Sequence, residues 1–239
     1  MSKGTVENSA PYSRTLRRLH LAIIGFVILL ATTGFMIYFR KSLGLQPFKM
    51  RLVWIHAIIA YSFLIVITWR ILLGFFGAKI DRLSTTLPNK RSLGRFFGQR
   101  GKPRFAGRSP TSRMLAGALY LFIASNAATG LVRAGTDLYL PPFGPIVAHY
   151  VAADGADPGT LKPGQKDNTD PYRYGRVSGG KIILGKIHIY GAFIITTLAL
   201  VHSIGTLSTE WSAPTRPGKD KRRGPARIML FGPEQKRDD

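Results

Sequence analysis

The sequence predicts an all-α integral membrane protein, a bundle of four transmembrane helices. Four long apolar segments follow one another, and the basic residues are concentrated between and beyond them. The only charged residue within these segments is Arg70, and the segments cover residues 19–39, 52–76, 114–132 and 187–207. At a rise of ~1.5 Å per residue, each helix is long enough to cross a hydrocarbon core of ~30 Å. The first segment is too long, and too poor in small residues at its end, for a cleavable signal peptide.

Composition excludes several classes of site. The 239 residues contain no cysteine, which rules out disulfides, thiolate metal sites, iron–sulfur ligation and thioether-attached haem. The chain has 34 Lys and Arg against 12 Asp and Glu, a net charge of +22. No basic motif interleaved with aromatic residues stands out, so we expect no nucleic-acid partner.

The distribution of basic residues predicts the topology. The tail before the first span, the loop 77–113 and the C-terminal tail together hold 22 of the 34 Lys and Arg, and a four-span protein places all three on one side. The positive-inside rule assigns that side to the cytoplasm, so both termini are predicted to be cytoplasmic. The predicted organisation is a tail over 1–13, a membrane domain over 14–208 and a basic tail over 209–239.

The predicted third loop, 133–186, is the long segment on the opposite side of the membrane. Its length favours a functional role. Its first residues are apolar, which favours a position at the membrane interface, and we expect a short helix after Pro145. We expect the second loop to be mostly irregular, and the tails up to Pro11 and beyond Pro214 to be disordered.

Four of the five histidines lie within the spans, where an ionisable side chain is costly and marks a functional candidate. His56 and His188 lie near one face of the membrane, and His20 and His202 near the other. His188 and His202 are fourteen residues apart, so they share a helix face at levels separated by ~21 Å. Two b-type haems, each held by two imidazoles from facing helices, suit this arrangement. His149 lies in the third loop and is interpreted as interfacial.

Small and basic residues add to this hypothesis. Gly34 and Gly130 are candidates for close packing against a porphyrin, although small residues also serve ordinary helix packing in membranes. Basic residues at the two levels are candidates to pair with haem propionates, or else to reach lipid headgroups. They are Arg17, Arg18 and Arg70 at the inner level, and Arg51 and Lys186 at the outer level.

These residues carry a family likeness. The Arg17-Arg18-Leu19-His20 start of the first span, the Thr33-Gly34 and Thr129-Gly130 pairs, His56, and the spacing of His188 and His202 resemble the bacterial cytochrome b-561 family. That family is similar to the b-type cytochrome subunits of membrane-bound NiFe hydrogenase and formate dehydrogenase. The likeness covers the four spans.

The resemblance implies a two-haem cytochrome of the bacterial inner membrane that exchanges electrons with the quinone pool. It implies a periplasmic redox partner of the dehydrogenase or hydrogenase type docking on the third loop, with electrons passing from the outer haem to the inner haem and then to quinone. Whether the chain is itself an enzyme or the electron-transfer subunit of a quinone-linked oxidoreductase stays open, as does homo-oligomerisation.

Three alternatives remain at this point. The stand-alone branch of the family exchanges electrons between quinol and a small oxidant such as superoxide. A transporter is disfavoured because the spans contain no acidic residue, no Pro-broken helix and no inverted repeat. A non-haem metal protein is disfavoured because the histidines divide between two depths and no Asp or Glu in a span completes either pair.

Overall fold

A computed structural model describes residues 13–79, 81–87, 110–211 and 229, and the regular structure of this part of the chain is helical. A single bridge between Ala152 and Thr169 is the one β-type pairing there. Short 3₁₀ turns cover Gln46–Phe48 and Pro158–Thr160. The helices are α1 (Arg14–Tyr38), α2 (Lys49–Phe76), α3 (Leu83–Thr86), α4 (Pro110–Leu138), α5 (Gly144–Val151) and α6 (Pro171–Trp211).

Four of these helices are long and apolar enough to cross a membrane. The qualifying segments are Arg14–Tyr38, Gln46–Phe76, Thr111–Leu138 and Pro171–Ser208. Large apolar side chains on them are exposed, such as Ile28 at 59% and Ile65 at 69%. Apolar surface of this extent is typical of contact with lipid rather than water. The prediction of an all-α protein with four membrane-spanning helices is confirmed.

The helices are longer than the apolar spans from which they were predicted. Helix α6 begins at Pro171, sixteen residues before the predicted span, because Asp170 caps it: its Oδ1 accepts a hydrogen bond from the Arg173 amide at 2.7 Å. Ser13 caps α1 in the same way, through the Leu16 amide at 3.0 Å. Caps and polar first turns extend a helix beyond its apolar residues, so hydropathy alone underestimates its length.

The described chain divides into two compact units. The described residues of the first fall within Met1–Gly25, Ile65–Gly117 and Ala199–Asp239. In this unit Arg70 is buried, at 2% exposure, and its Nη1 donates to the backbone carbonyl of Asp81 at 3.3 Å. The Asp81 side chain is itself buried at 3% exposure.

The second unit comprises Phe26–Leu64 and Ala118–Leu198, and it contains the middle of the predicted third loop. That segment is folded. Helix α5 occurs where the sequence predicts a short helix, and Ala148 and Val151 from it pack with Ala152 and Leu161 in a small apolar core. The Tyr61 hydroxyl of α2 donates to the carbonyl of Pro141, which ties the segment to a membrane helix.

Several predictions from the sequence fall outside the described residues. These are the disorder of both tails, apart from residues 13 and 229, and the irregular conformation of the central part of the second loop, residues 88–109.

Glycine at position 144 is required by the turn that precedes α5. A Cβ atom there would overlap the backbone carbonyl of Tyr139, whose own φ is +55°. We expect Gly144→Ala to lower the free energy of unfolding by about 1–3 kcal/mol, as overpacking against backbone usually does. The matched control is Gly175→Ala in α6, where a Cβ meets open space and helix propensity favours Ala. Thermal unfolding of the two purified variants checks this, and equal stability would contradict it.

Candidate haem site

Two histidine rings from different helices lie close together within the second unit. His56 lies on α2 and His188 on α6, with ring centroids 6.3 Å apart and ring planes at 86°. Both side chains are partly buried. The structure thus brings together the pair that the sequence assigned to the outer level.

The outer contacts of the His56 ring determine which of its nitrogens carries the proton. Its Nδ1 lies 2.8 Å from the Thr33 hydroxyl of α1, and that hydroxyl also lies 2.8 Å from the Leu29 carbonyl. A carbonyl only accepts, so the hydroxyl proton is donated to Leu29 and the Thr33 oxygen accepts from Nδ1–H of His56. In this neutral tautomer Nε2 has a free lone pair.

His188 is held in the same tautomer by α4. Its Nδ1 lies 3.1 Å from the backbone carbonyl of Asn126 and 3.2 Å from the Thr129 hydroxyl. Because the carbonyl can only accept, Nδ1 of His188 is the protonated nitrogen. Metal-binding histidines characteristically donate their second N–H to a carbonyl or hydroxyl in this way, which fixes the ring and leaves Nε2 to bind the metal.

The separation of the rings fits one metal ion between them. A metal–nitrogen bond of ~2 Å on each side, with roughly 1 Å from each nitrogen to its ring centre, requires a centroid separation of roughly 6 Å. The observed 6.3 Å meets this requirement. Imidazoles from two helices would supply two ligands to the iron of a haem, and the porphyrin would supply the other four.

Glycines lie beside both rings. A Cβ at Gly34 would stand 3.6 Å from Cε1 of His56, and a Cβ at Gly130 would stand 3.0 Å from Cε1 of His188. At Gly191 a Cβ would come within 2.6 Å of the Asn126 Oδ1, so this glycine lets α4 and α6 approach closely. The absence of side chains at these positions leaves room beside the imidazoles for a flat cofactor.

Arg133, which is not among the candidates predicted from the sequence, lies near this pair. The guanidinium of Arg133 on α4 lies against α6 three residues before His188: a Cβ at Gly185 would stand 3.9 Å from its Cζ. Its Nη2 pairs with Asp137 at 3.3 Å, and Lys181 pairs with the same carboxylate at 2.8 Å. The Arg133 Nε is buried and has no hydrogen-bond partner among the described residues. The sequence carries a pattern that could have identified Arg133. Helical spacing places four residues on one face of α4: Asn126, Thr129, Gly130 and Arg133.

The other predicted site residues lie in varied surroundings. His20 on α1 and His202 on α6 belong to the first unit, and both are partly buried. Arg17 donates from Nε to the Met229 carbonyl at 3.3 Å, and Arg70 is buried beside Asp81. The remaining three basic candidates are exposed, and Arg51 among them stacks over the Phe48 ring at 6.0 Å. Those three are Arg18, Arg51 and Lys186. His149 is exposed on α5.

Within the described ranges, no three His, Cys, Asp or Glu side chains converge as a metal site. A bis-imidazole haem needs two such ligands, because the porphyrin supplies the others.

Four membrane-spanning helices with two intramembrane imidazoles 6.3 Å apart place the chain among helical membrane proteins of the cytochrome b kind. The chain belongs to the prokaryotic cytochrome b561 family, whose sequence model matches residues 11–214. This family membership implies a b-type haem and a multi-pass membrane protein that acts in electron transfer. Neither the curated proteins nor the solved structures compared with the chain match it.

Proposed function

We propose that this chain is a dihaem b-type cytochrome of the bacterial inner membrane that transfers electrons between a periplasmic redox partner and the quinone pool. The observation that carries the proposal is the facing pair of His56 and His188, with each Nδ1 already hydrogen-bonded and the rings 6.3 Å apart. Bound haem supplies reversible one-electron chemistry at iron.

His56 and His188 would hold the outer haem through iron, and Gly34 and Gly130 lie beside these two imidazoles. Arg133 is the best-placed partner for a propionate because its guanidinium lies against α6 near His188 and its Nε is buried without an acceptor among the described residues. Arg51 and Lys186 are more exposed, which favours contact with solvent or lipid headgroups.

His20 and His202 are the proposed ligands of the inner haem. Their support is the sequence pattern together with α6, which runs without a break from His188 through His202. Arg17, Arg18 and Arg70 stay candidates for its propionates. We place the quinone site near the proposed cytoplasmic ends, where Arg70 is buried beside Asp81, whose Oδ1 has no hydrogen-bond partner among the described residues.

The folded segment between α4 and α6 supports a periplasmic partner that docks there. Its small core is closed by α5, while Ile146 and Tyr150 of the same helix are exposed at 68% and 43%. Asp154 and Arg173 brace the segment through a contact of 2.7 Å. A folded surface with exposed apolar side chains is suited to binding a protein partner of the dehydrogenase or hydrogenase type. The positive-inside argument supports cytoplasmic termini.

Haem stoichiometry tests the two-haem proposal. We expect two b-type haems per chain by pyridine haemochromogen assay of the detergent-purified protein, and one haem in His188→Ala and in His202→Ala. As a control, His149→Ala removes the exposed histidine of α5 and is expected to keep both. A wild-type chain that binds no haem, or a His188→Ala variant that keeps two, would contradict the proposal.

Reduction by quinol in the same variants then tests which of the two haems lies at the quinone site. In membrane vesicles, quinol is expected to reduce the remaining haem of His188→Ala rapidly. The haem that remains in His202→Ala is expected to be reduced by quinol only slowly. The opposite pattern would place the quinone site at the His56/His188 level. Fast oxidation of the fully reduced wild type by superoxide, with no partner protein, would favour the stand-alone alternative.

The perpendicular rings predict a spectroscopic signature. Axial imidazole planes at 86° leave the two iron orbitals that interact with them nearly equal in energy, which makes the low-spin ferric EPR signal highly anisotropic. The ferric His202→Ala variant is expected to show this signal alone. A rhombic signal typical of parallel imidazole planes would contradict this ring geometry.

Arg133 is distinguished from the exposed basic residues by redox potential. A cation beside the haem stabilises the form with the extra electron, so we expect Arg133→Gln to lower the outer haem potential by roughly 30–60 mV, or about three- to tenfold in the redox equilibrium. Arg51→Gln and Lys186→Gln are the matched charge removals, and we expect smaller shifts. Redox titration checks all three, and equal shifts would argue against a special role for Arg133.

A further inference from the structure

We infer that Thr33 and Thr129 are positioning residues for the outer axial imidazoles, and that their hydroxyl oxygens set the ligand strength of His56 and His188. The inference rests on the proposed function, because it concerns the haem assigned to these histidines. Each threonine belongs to a Thr-Gly pair whose glycine lies beside the same ring, so the two residues act together: one holds the imidazole and the other leaves space beside it.

The Thr33 hydroxyl is oriented by its own helix. It reaches the carbonyl of Leu29 at 2.8 Å and that of Leu30 at 3.3 Å, so its proton is used within α1. Its oxygen is therefore available as an acceptor and receives Nδ1–H of His56 at 2.8 Å. Among the described contacts of the His56 Nδ1, this oxygen is the hydrogen-bond acceptor.

His188 has a second acceptor that does not depend on a side chain. Thr129 is anchored to the carbonyls of Ser125 and Asn126 at 3.2 and 3.0 Å, and it accepts from His188 at 3.2 Å. The Asn126 carbonyl accepts from the same Nδ1 at 3.1 Å. Loss of the Thr129 hydroxyl therefore leaves His188 oriented, whereas loss of the Thr33 hydroxyl leaves the His56 N–H without this acceptor.

The hydrogen bonds affect the iron through the rings. An acceptor at Nδ1–H makes Nε2 a stronger electron donor, which favours ferric over ferrous iron and lowers the potential. Removing the acceptor is expected to raise the potential. It also permits the other tautomer, in which Nε2 carries the proton and cannot bind iron, so haem occupancy falls.

The experiment compares Thr33→Val, Thr33→Ser, Thr129→Val and Thr129→Ser in the full-length haem-loaded protein. Thr33→Val is expected to raise the outer haem potential by a threefold to tenfold change in the redox equilibrium, where tenfold equals about 59 mV for one electron. It is also expected to lower outer haem occupancy. Thr129→Val should produce a shift of the same sign but smaller, and both serine variants should restore wild-type values.

Thr196→Val is the matched control. Thr196 of α6 donates to the Ala192 carbonyl at 2.9 Å, the same bond to its own helix that Thr33 and Thr129 make. This variant removes an intramembrane hydroxyl with the same change of shape, and we expect the outer potential and EPR signal to be unchanged.

Two results would overturn the inference. One is a Thr33→Val variant with the potential, occupancy and EPR anisotropy of Thr196→Val; the other is a Thr129→Val effect larger than that of Thr33→Val. If Thr33→Val fails to fold, Thr129→Val decides: an outer haem potential equal to that of Thr196→Val would then overturn the inference. Failure of the proposed function looks different, because the wild type itself would then lack a low-spin haem that depends on His188.

Discussion

The structure of the second unit depends on one constraint, which is that each intramembrane imidazole N–H must find an acceptor within helices that have few to spare. Backbone carbonyls in a transmembrane helix are already used by the helix, and an unpaired polar group in the bilayer is costly. Two devices meet the need. Thr33 bonds to its own helix and presents its oxygen to His56, while the Asn126 carbonyl accepts from both Thr129 and His188.

These acceptors explain why four helices are needed for a site with two ligands. The rings come from α2 and α6, and the groups that orient them come from α1 and α4. Each ligand helix is thereby tied to a different neighbour. Glycines at 34, 130 and 191 permit the close approach that the hydrogen bonds require, so the small residues and the polar residues of the spans serve a single arrangement. The geometry of the two rings thus depends on contacts that all four helices supply.

Much of this arrangement could be predicted from the sequence, because hydropathy, charge bias and histidine spacing can be read directly along the chain. The four spans and the meeting of His56 with His188 are of this kind. The start of α6 was missed because Asp170 and Pro171 define it by capping rather than by apolarity. The roles of Thr33 and Arg133 were missed for another reason. A threonine that bonds to its own helix is common in membranes, and only the neighbouring helix reveals that its oxygen also serves a histidine.

The charge balance beside the rings provides a further argument for an anionic cofactor. Arg133 and Lys181 share the single carboxylate of Asp137, at 3.3 and 2.8 Å, so this cluster has a surplus positive charge. The two imidazoles are neutral in the tautomers that their hydrogen bonds define, and they add no negative charge. An uncompensated cation at the edge of the bilayer is unfavourable, and a buried guanidinium N–H without an acceptor adds to that cost. A haem propionate would supply both the missing charge and the missing acceptor. Among the described residues, two cations on α4 and α6 thus share one carboxylate, on the same two helices that orient and carry His188.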